Sequence, residues 1–177
     1  MIDQLINTNT TSKSFSKGEI LQNAGQVSSN AYYVKKGLLR SYTIDEKGKE
    51  HIYMFASEGW IVSDVESQVF NNKTTLFIDA IENSEVYVLD VSKLDSTIQN
   101  TGDSSIMVKT LLKRVGVMQR RIIALMSSSA TERYQSFLQI YPELPNRVPQ
   151  KMIASYLGIT PEALSNIRRK IIQDENL

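Results

Sequence analysis

Residues 149–170 read Pro-Gln-Lys-Met-Ile-Ala-Ser-Tyr-Leu-Gly-Ile-Thr-Pro-Glu-Ala-Leu-Ser-Asn-Ile-Arg-Arg-Lys. The stretch spells two short helices joined by a tight turn. Ile153 and Leu157 are four apart and share one face of the first helix. Ala154 beside them is small enough for a second helix to cross closely. Gly158 tolerates the positive φ that turns the chain, and Ile159 plugs the corner. Thr160 is placed as an N-cap, Pro161 as the first helical residue, and Glu162 in the first turn. Leu164, Ile167 and Ile171 recur at three and four and form the buried stripe of the second helix. Glu162, Ser165, Asn166 and Arg169 then face outward, with Arg168 and Lys170 on the flanks.

This is the pattern of a helix-turn-helix whose second helix, Pro161–Ile172, enters the major groove of DNA by its N-terminus. The outward residue types suit that contact. Glu accepts from cytosine N4, Asn binds adenine at two points, and Arg binds guanine or phosphate. The candidate DNA contacts are Thr160, Pro161, Glu162, Ser165, Asn166, Arg168, Arg169 and Lys170. A plain helical hairpin would carry outward polar residues too. The small residue, the glycine, the capped second helix and the basic end occur together here, and that combination favours DNA.

The remaining composition narrows the alternatives. The 177 residues contain no cysteine and one histidine, which excludes disulfides, thiolate chemistry and cysteine-ligated iron–sulfur clusters. No apolar run approaches the ~18 residues of a membrane span, and no signal-peptide pattern opens the chain, so a cytoplasmic location is expected. No nucleophile–base–acid set and no paired carboxylates stand out, so enzyme chemistry is not expected. The net charge of +1 hides an asymmetry. Residues 1–103 hold 9 Lys/Arg against 14 Asp/Glu, a net of −5, and residues 104–177 hold 11 against 5, a net of +6. Only the back half is suited to meet a polyanion.

Outward from the decisive stretch, the organisation changes. Met1 to Ser16 is polar, with a helical turn expected around Ile2–Ile6. From Phe15 to about Asp90, short strands alternate with glycine turns. They are expected at Glu19–Gln22, Ala31–Val34, Leu38–Ile44, His51–Phe55, Ile61–Val62, Leu76–Ile81 and Glu85–Leu89. Asp45–Glu50 is a hairpin turn around Gly48. Many short strands at regular spacing indicate a jelly-roll type of sandwich or barrel. A short helix is expected over Ser92–Ile98. From Ser104 to Met126 the period becomes helical: Val108, Leu111, Val115, Met118, Ile122 and Leu125 recur at 3, 4, 3, 4, 3, close to three heptads. Leu112, Ile123 and Met126 form a second apolar stripe, so one stripe serves its own barrel and the other a partner helix in a parallel dimer. Ser127 to Ser129 is expected as a hinge. Thr131 to Tyr141 follows as a helix capped by Thr131 or Ser129, with Tyr134, Phe137, Leu138 and Tyr141 as its apolar face. Pro142 and Pro145 end it.

The expected fold is therefore α+β: an N-terminal β jelly-roll (double-stranded β-helix) barrel over residues 1–103, a long dimerisation helix and hinge over 104–128, and a helix-turn-helix domain over 129–177. That order resembles the CRP/FNR family of bacterial transcription regulators. The resemblance runs from Phe15 to Leu177. It is carried by Phe15-Ser-Lys-Gly-Glu-Ile-Leu with Gly25, by Tyr33-Val-Lys-Lys-Gly37, by the Asp45–Glu50 hairpin and by Lys151–Lys170. It implies a cyclic-nucleotide-binding-type sensor barrel, a homodimer through the long helix, and one DNA half-site per subunit. It also implies double-stranded DNA with a pseudo-palindromic site as partner, and RNA polymerase as a further one.

The departures from the family pattern are informative. Members that bind cyclic nucleotides carry Gly-Glu-Leu, whose Glu holds the ribose 2′-OH, and Arg-Ser/Thr-Ala, whose Arg holds the cyclic phosphate. The matching stretches here are Gly59-Trp-Ile-Val-Ser-Asp64 and Asn72-Lys-Thr-Thr75. The Glu is missing, and Lys73 lacks the bidentate fork of Arg. Cyclic AMP is not expected as the effector, and neither haem nor a metal site is expected from one His and no Cys. The candidate effector pocket is Gly59, Trp60, Ser63, Asp64, Lys73, Thr74 and Thr75, with Met118 and Gln119 of the long helix. Trp60 is expected in the core, His51 as an ordinary strand residue, and only one of Tyr32 and Tyr33 as buried. Many members continue into a two-stranded wing, and this sequence ends about where it would begin. Without that wing, DNA affinity is expected to rest more heavily on Arg168, Arg169, Lys170 and the helix N-terminus. The alternative reading is a small-molecule or protein-binding module whose helix-turn-helix makes protein contacts.

Overall fold

A computed structural model describes residues 11–91 and 104–175, without the side chains of 104–111, 113, 114 and 175. The helices expected around Ile2–Ile6 and over Ser92–Ile98 lie outside the described residues. The chain divides into two compact units, Met1–Val108 and Lys109–Leu177.

Among the described residues, the first unit is built on eight antiparallel strands: β1 Ser12–Phe15, β2 Ile20–Gln22, β3 Asn30–Lys36, β4 Leu39–Ile44, β5 Glu50–Ala56, β6 Ile61–Ser63, β7 Phe77–Ala80 and β8 Ser84–Asp90. They form two four-stranded sheets, ordered β1-β8-β3-β6 and β2-β7-β4-β5. The chain passes back and forth between the sheets, which is jelly-roll topology. Between the sheets lie Tyr32, Val34, Leu39, Ala56, Val62, Ile78, Ala80 and Val86, with Phe15, Leu21, Met54 and Val88 packed against them. Tyr32 is buried and donates its hydroxyl to the Leu21 carbonyl at 2.9 Å, while Tyr33 is half-buried, as strand alternation requires.

Two elements of this unit depart from the sequence reading. Residues 12–15, ahead of the first expected strand at Glu19–Gln22, form β1 and pair with β8 from Ser12↔Tyr87 to Phe15↔Ser84. Ser-Lys-Ser-Phe shows no apolar alternation; its strand state comes from the partner, where the Ser12 hydroxyl also donates to Glu85 at 2.5 Å. A six-residue helix, α1 (Val65–Phe70), follows β6 where no helix was expected.

Gly37 closes the β3–β4 connection at φ +100°. A Cβ there would sit 2.3 Å from the Ser84 Oγ and 2.7 Å from its Cα, so no other residue fits without moving β8. Across β4 and β7, Arg40 faces its register partner Asp79 and donates to both carboxylate oxygens, at 2.7 and 2.8 Å, and to Glu50 at 2.5 Å. Burial opposes the Arg40 charge, but the Asp79 and Glu50 carboxylates hold its pKa above the ordinary arginine value. The β4–β5 hairpin is fixed by the Asp45 carboxylate, which accepts from the backbone of Lys47 and Lys49 and meets the His51 Nε2 at 2.8 Å.

The second unit is helical: it takes α2 (Ser104–Ser127) from Lys109 onward, then α3 Ala130–Ile140, α4 Leu144–Arg147, α5 Gln150–Leu157 and α6 Pro161–Glu175. Ser129 and Glu132 cap α3 reciprocally as a capping box, which settles the choice between Thr131 and Ser129. Pro142 ends α3, whereas Pro145 lies in the first turn of the unexpected one-turn helix α4. The unit's core is Tyr134, Phe137, Tyr141, Leu144, Val148, Ile153, Ala154, Leu157 and Leu164. Tyr156 adds its ring to Phe137 and Tyr141 at centroid distances of 5.7 and 6.3 Å.

Candidate nucleic-acid interface and the polar cluster of the barrel

Leu164 is fully buried and anchors α6 against α5, where Ile153, Ala154 and Leu157 are buried. Burying one leucine contributes about 1.5–3 kcal/mol, so this contact alone largely fixes the rotation of α6. Ile167 and Ile171 are half-buried on the same stripe. That rotation turns Glu162, Ser165, Asn166, Arg169 and Lys170 out to solvent, together with Thr160 and Pro161 at the start. Arg168 is half-buried.

The turn before α6 is closed by Gly158, left-handed at φ +69°. The Thr160 carbonyl accepts from Leu164 at 3.1 Å and its Oγ1 accepts from the Ala163 backbone at 3.2 Å, so Thr160 is the N-cap. The Glu162 carboxylate is held below the usual glutamate range by its own backbone N–H first and by the Thr160 hydroxyl second. The start of α6 is thus already served by an acidic side chain, and a phosphate there competes with Glu162. The cations Arg168, Arg169 and Lys170 lie farther along the helix, without that competition.

The C-terminal end of α5 has four carbonyls without partners inside the helix. The turn supplies two donors: Ile159 to the Ala154 oxygen at 3.0 Å and Gly158 to that of Ser155 at 3.1 Å. Other helices supply the remaining two. Arg121 of α2 donates to the Tyr156 oxygen at 3.0 Å and lies over the Tyr156 ring at 3.8 Å. Arg133 of α3 donates to the Leu157 oxygen at 3.0 Å and to that of Ser128 at 2.6 Å. Neither arginine was singled out by sequence reasoning. Their partners lie 35 and 24 residues away, and no local pattern marks them.

Along α2, Val115, Met118, Ile122 and Leu125 are 44–55% exposed, and the second stripe of Leu112, Ile123 and Met126 is 53–82% exposed. The Val108 and Leu111 side chains lie outside the described residues. Met118 and Gln119 are both exposed on this helix.

In the barrel unit, the residues proposed for an effector divide. Trp60, expected in the core, is 36% exposed. Its backbone closes a turn on Ser57 at 3.0 Å next to Gly59 at φ +82°, and the turn carries the ring outward before β6 begins. Lys73 and Thr75 are exposed, and Ser63 is half-buried in β6. Asp64 and Thr74 are buried and hydrogen-bonded to each other. Asp64 also caps α1 through the Ser67 backbone N–H at 3.0 Å. Gln22 donates to the Thr74 hydroxyl at 3.3 Å and to the Leu76 carbonyl at 3.1 Å, and accepts from Ser28 at 2.6 Å. Ser67 accepts from the Ser28 backbone at 3.0 Å and donates to the Asn72 carbonyl at 2.6 Å. Gln22, Ser28 and Ser67 were not anticipated. Asp64-Val-Glu-Ser67 does carry a readable sign, an acidic N-cap three residues before a serine. This cluster satisfies itself and contains a carboxylate but no cation. Among the described residues, no group of three or more His, Asp or Glu is arranged to hold a metal, and no helix is long and apolar enough to cross a membrane.

Residues 12–101 match the protein family described as cyclic nucleotide-binding domain, just over half of the chain. The chain is similar to the fumarate and nitrate reduction regulatory protein of Yersinia pestis, with 27% identity over 181 residues, covering 94% of this chain and 70% of the relative. Its fold is shared with FixK2 from Bradyrhizobium japonicum, at a TM-score of 0.73 and 21% identity, covering 94% of this chain and 86% of that one. It is shared as well with a transcriptional regulator of the CRP/FNR family from Thermus thermophilus, at a TM-score of 0.71 and 18% identity, covering 92% and 86%.

Proposed function

The chain belongs to the CRP/FNR family of transcription regulators, with a cyclic nucleotide-binding-type barrel before its helices, and on that premise we propose that it is a homodimeric, sequence-specific DNA-binding regulator. Each subunit presents α6 to one major groove. The observation that carries the reading is the split of α6 into a buried stripe led by Leu164 and an outward row of Glu162, Ser165, Asn166 and Arg169. Those four types are the ones that read base edges, and Lys170 beside them suits phosphate.

Dimerisation through α2 is supported by its exposed heptad seam, which a lone helix in water would not favour. For the barrel, the self-satisfied cluster around Asp64 and Thr74 argues against cyclic AMP, because a buried carboxylate repels a cyclic phosphate and the cluster supplies no arginine to hold one. On this reading the barrel is not expected to take cyclic AMP as its effector.

Base readers and phosphate binders fail differently, and that difference is the test. Asn166→Ala is expected to relax sequence choice at one position per half-site, by about 1–3 kcal/mol. Lys170→Ala is expected to weaken binding to all sequences and flatten the salt dependence. If Asn166→Ala and Lys170→Ala lower binding equally to every sequence, α6 does not read bases. A wild-type protein with no salt-dependent gel shift supports a protein-contact module instead.

A further inference from the structure

We propose that Arg121 and Arg133 are positioning residues for DNA recognition: from α2 and α3 they hold the last carbonyls of α5 and so fix the direction in which α6 leaves the long helix. The inference rests on the DNA-binding reading above and adds how the two recognition helices of a dimer acquire a set spacing.

The carbonyl accounting carries it. The C-terminal end of α5 bears a negative partial charge and no basic residue of its own in its last turn. The two carbonyls that the turn leaves open, Tyr156 and Leu157, are each taken by an arginine from a different helix. Arg121 adds a planar contact over the Tyr156 ring, which resists rotation as well as separation. Leu125 of α2 lies beside the same turn: a Cβ added at Gly158 would meet its Cδ2 at 3.4 Å, an ordinary contact distance.

The serine triplet between α2 and α3 is bonded at each residue. Ser127 donates its hydroxyl to the Ile123 carbonyl at 2.8 Å, Ser128 donates its N–H to Ala124 at 3.0 Å and accepts from Arg133, and Ser129 caps α3. A swivel at these residues would break the Arg133 fork, which grips Ser128 and Leu157 together. The end of α2, the turn of the helix-turn-helix and the base of α6 therefore move as one piece. In a dimer joined along α2, that piece dictates the separation and relative rotation of the two α6 helices. One base pair more or less turns one half-site by about 34° against the other, which a rigid pair resists and a loosened pair accommodates.

The test uses two readouts. The chain has no cysteine, so Arg120→Cys with Gln173→Cys gives a spin-label pair spanning α2 and α6 without background labelling. Labelled chain is diluted with unlabelled chain so that each dimer carries one pair. The wild-type background is expected to give one narrow distance, and Arg121→Gln with Arg133→Gln a broadened distribution. Dimer mass and the salt slope on bulk DNA are expected to stay unchanged, because these arginines serve α5 rather than phosphate. In a selection over half-site spacings, wild type is expected to prefer its best spacing by at least about tenfold over neighbours one base pair away, and the double variant by less than about threefold. Arg121→Lys, which keeps the charge but loses the planar stack, replaces the double variant if that fails to fold, and is expected to broaden the distance partially. An unchanged distance, an unchanged spacing preference or a lowered salt slope each overturns the inference. A wild-type protein with a narrow distance but no sequence preference sinks the DNA reading itself, so the two failures are distinguishable.

Discussion

Thr74 gives its hydroxyl to the carboxylate of Asp64, and the two are 3% and 4% exposed. This bond joins the start of α1 to the strand-leading segment before β7. It also holds the Gln22–Ser28–Ser67 cluster at its centre. Asp64→Ala removes the α1 cap and leaves Thr74 without its acceptor. The barrel unit is expected to lose about 1–3 kcal/mol in urea unfolding, with Asp64→Asn losing less because it keeps an acceptor. Calorimetry on the unaltered protein is expected to show no heat of binding with cyclic AMP or cyclic GMP at micromolar levels; a saturable signal there refutes the self-satisfied reading of the cluster.

The exposed seam of α2 makes a prediction about assembly. Val115→Glu with Ile122→Glu places like charges in a seam that dimerisation would bury, and monomers are expected by light scattering. A persistent dimer in that variant means that another surface joins the subunits.

A pH effect is expected at the β4–β5 hairpin. The Asp45 carboxylate is held below the usual aspartate value of 3.8, by His51 first and then by the backbone N–H of Lys49. A folded pKa below the unfolded one adds stability above the unfolded value and loses it as pH falls through the lower folded value. The gap between wild type and Asp45→Asn in urea unfolding should thus be present at pH 7 and close below pH 4. A gap that stays constant down to pH 2 contradicts the ionic account of this turn.

Leu164 makes the corresponding claim for the second unit. Leu164→Ala is expected to destabilise it by about 2–5 kcal/mol, read as loss of the helical melting transition. A smaller loss would show that α6 is not rotationally fixed by this contact.

The helix-turn-helix was legible because all its constraints are local. Gly158, Thr160 and Pro161 punctuate it, and Ile153, Leu157 and Leu164 mark one buried side at helical spacing. The barrel was legible through its glycine turns, down to the alternation of Tyr32 and Tyr33. What escaped is what depends on distant partners. β1 is a strand only because Glu85 and its neighbours on β8 receive it. Trp60 reads as core by residue type, yet its turn carries it outward. The Asp64–Thr74 bond spans ten residues, and the Arg121 and Arg133 contacts span more, so no short sequence window contains both ends.

The central claim is that two α6 helices read one two-fold site, and selection of bound DNA from a random pool tests it most directly. The wild-type protein is expected to enrich a pseudo-palindrome with half-sites about one helical turn apart, roughly 34 Å. Asn166→Ala should blur one position in each half, at the same place in both. A pool that shows no enrichment over bulk DNA at moderate salt, or enriches a single asymmetric site untouched by Asn166→Ala, contradicts the account.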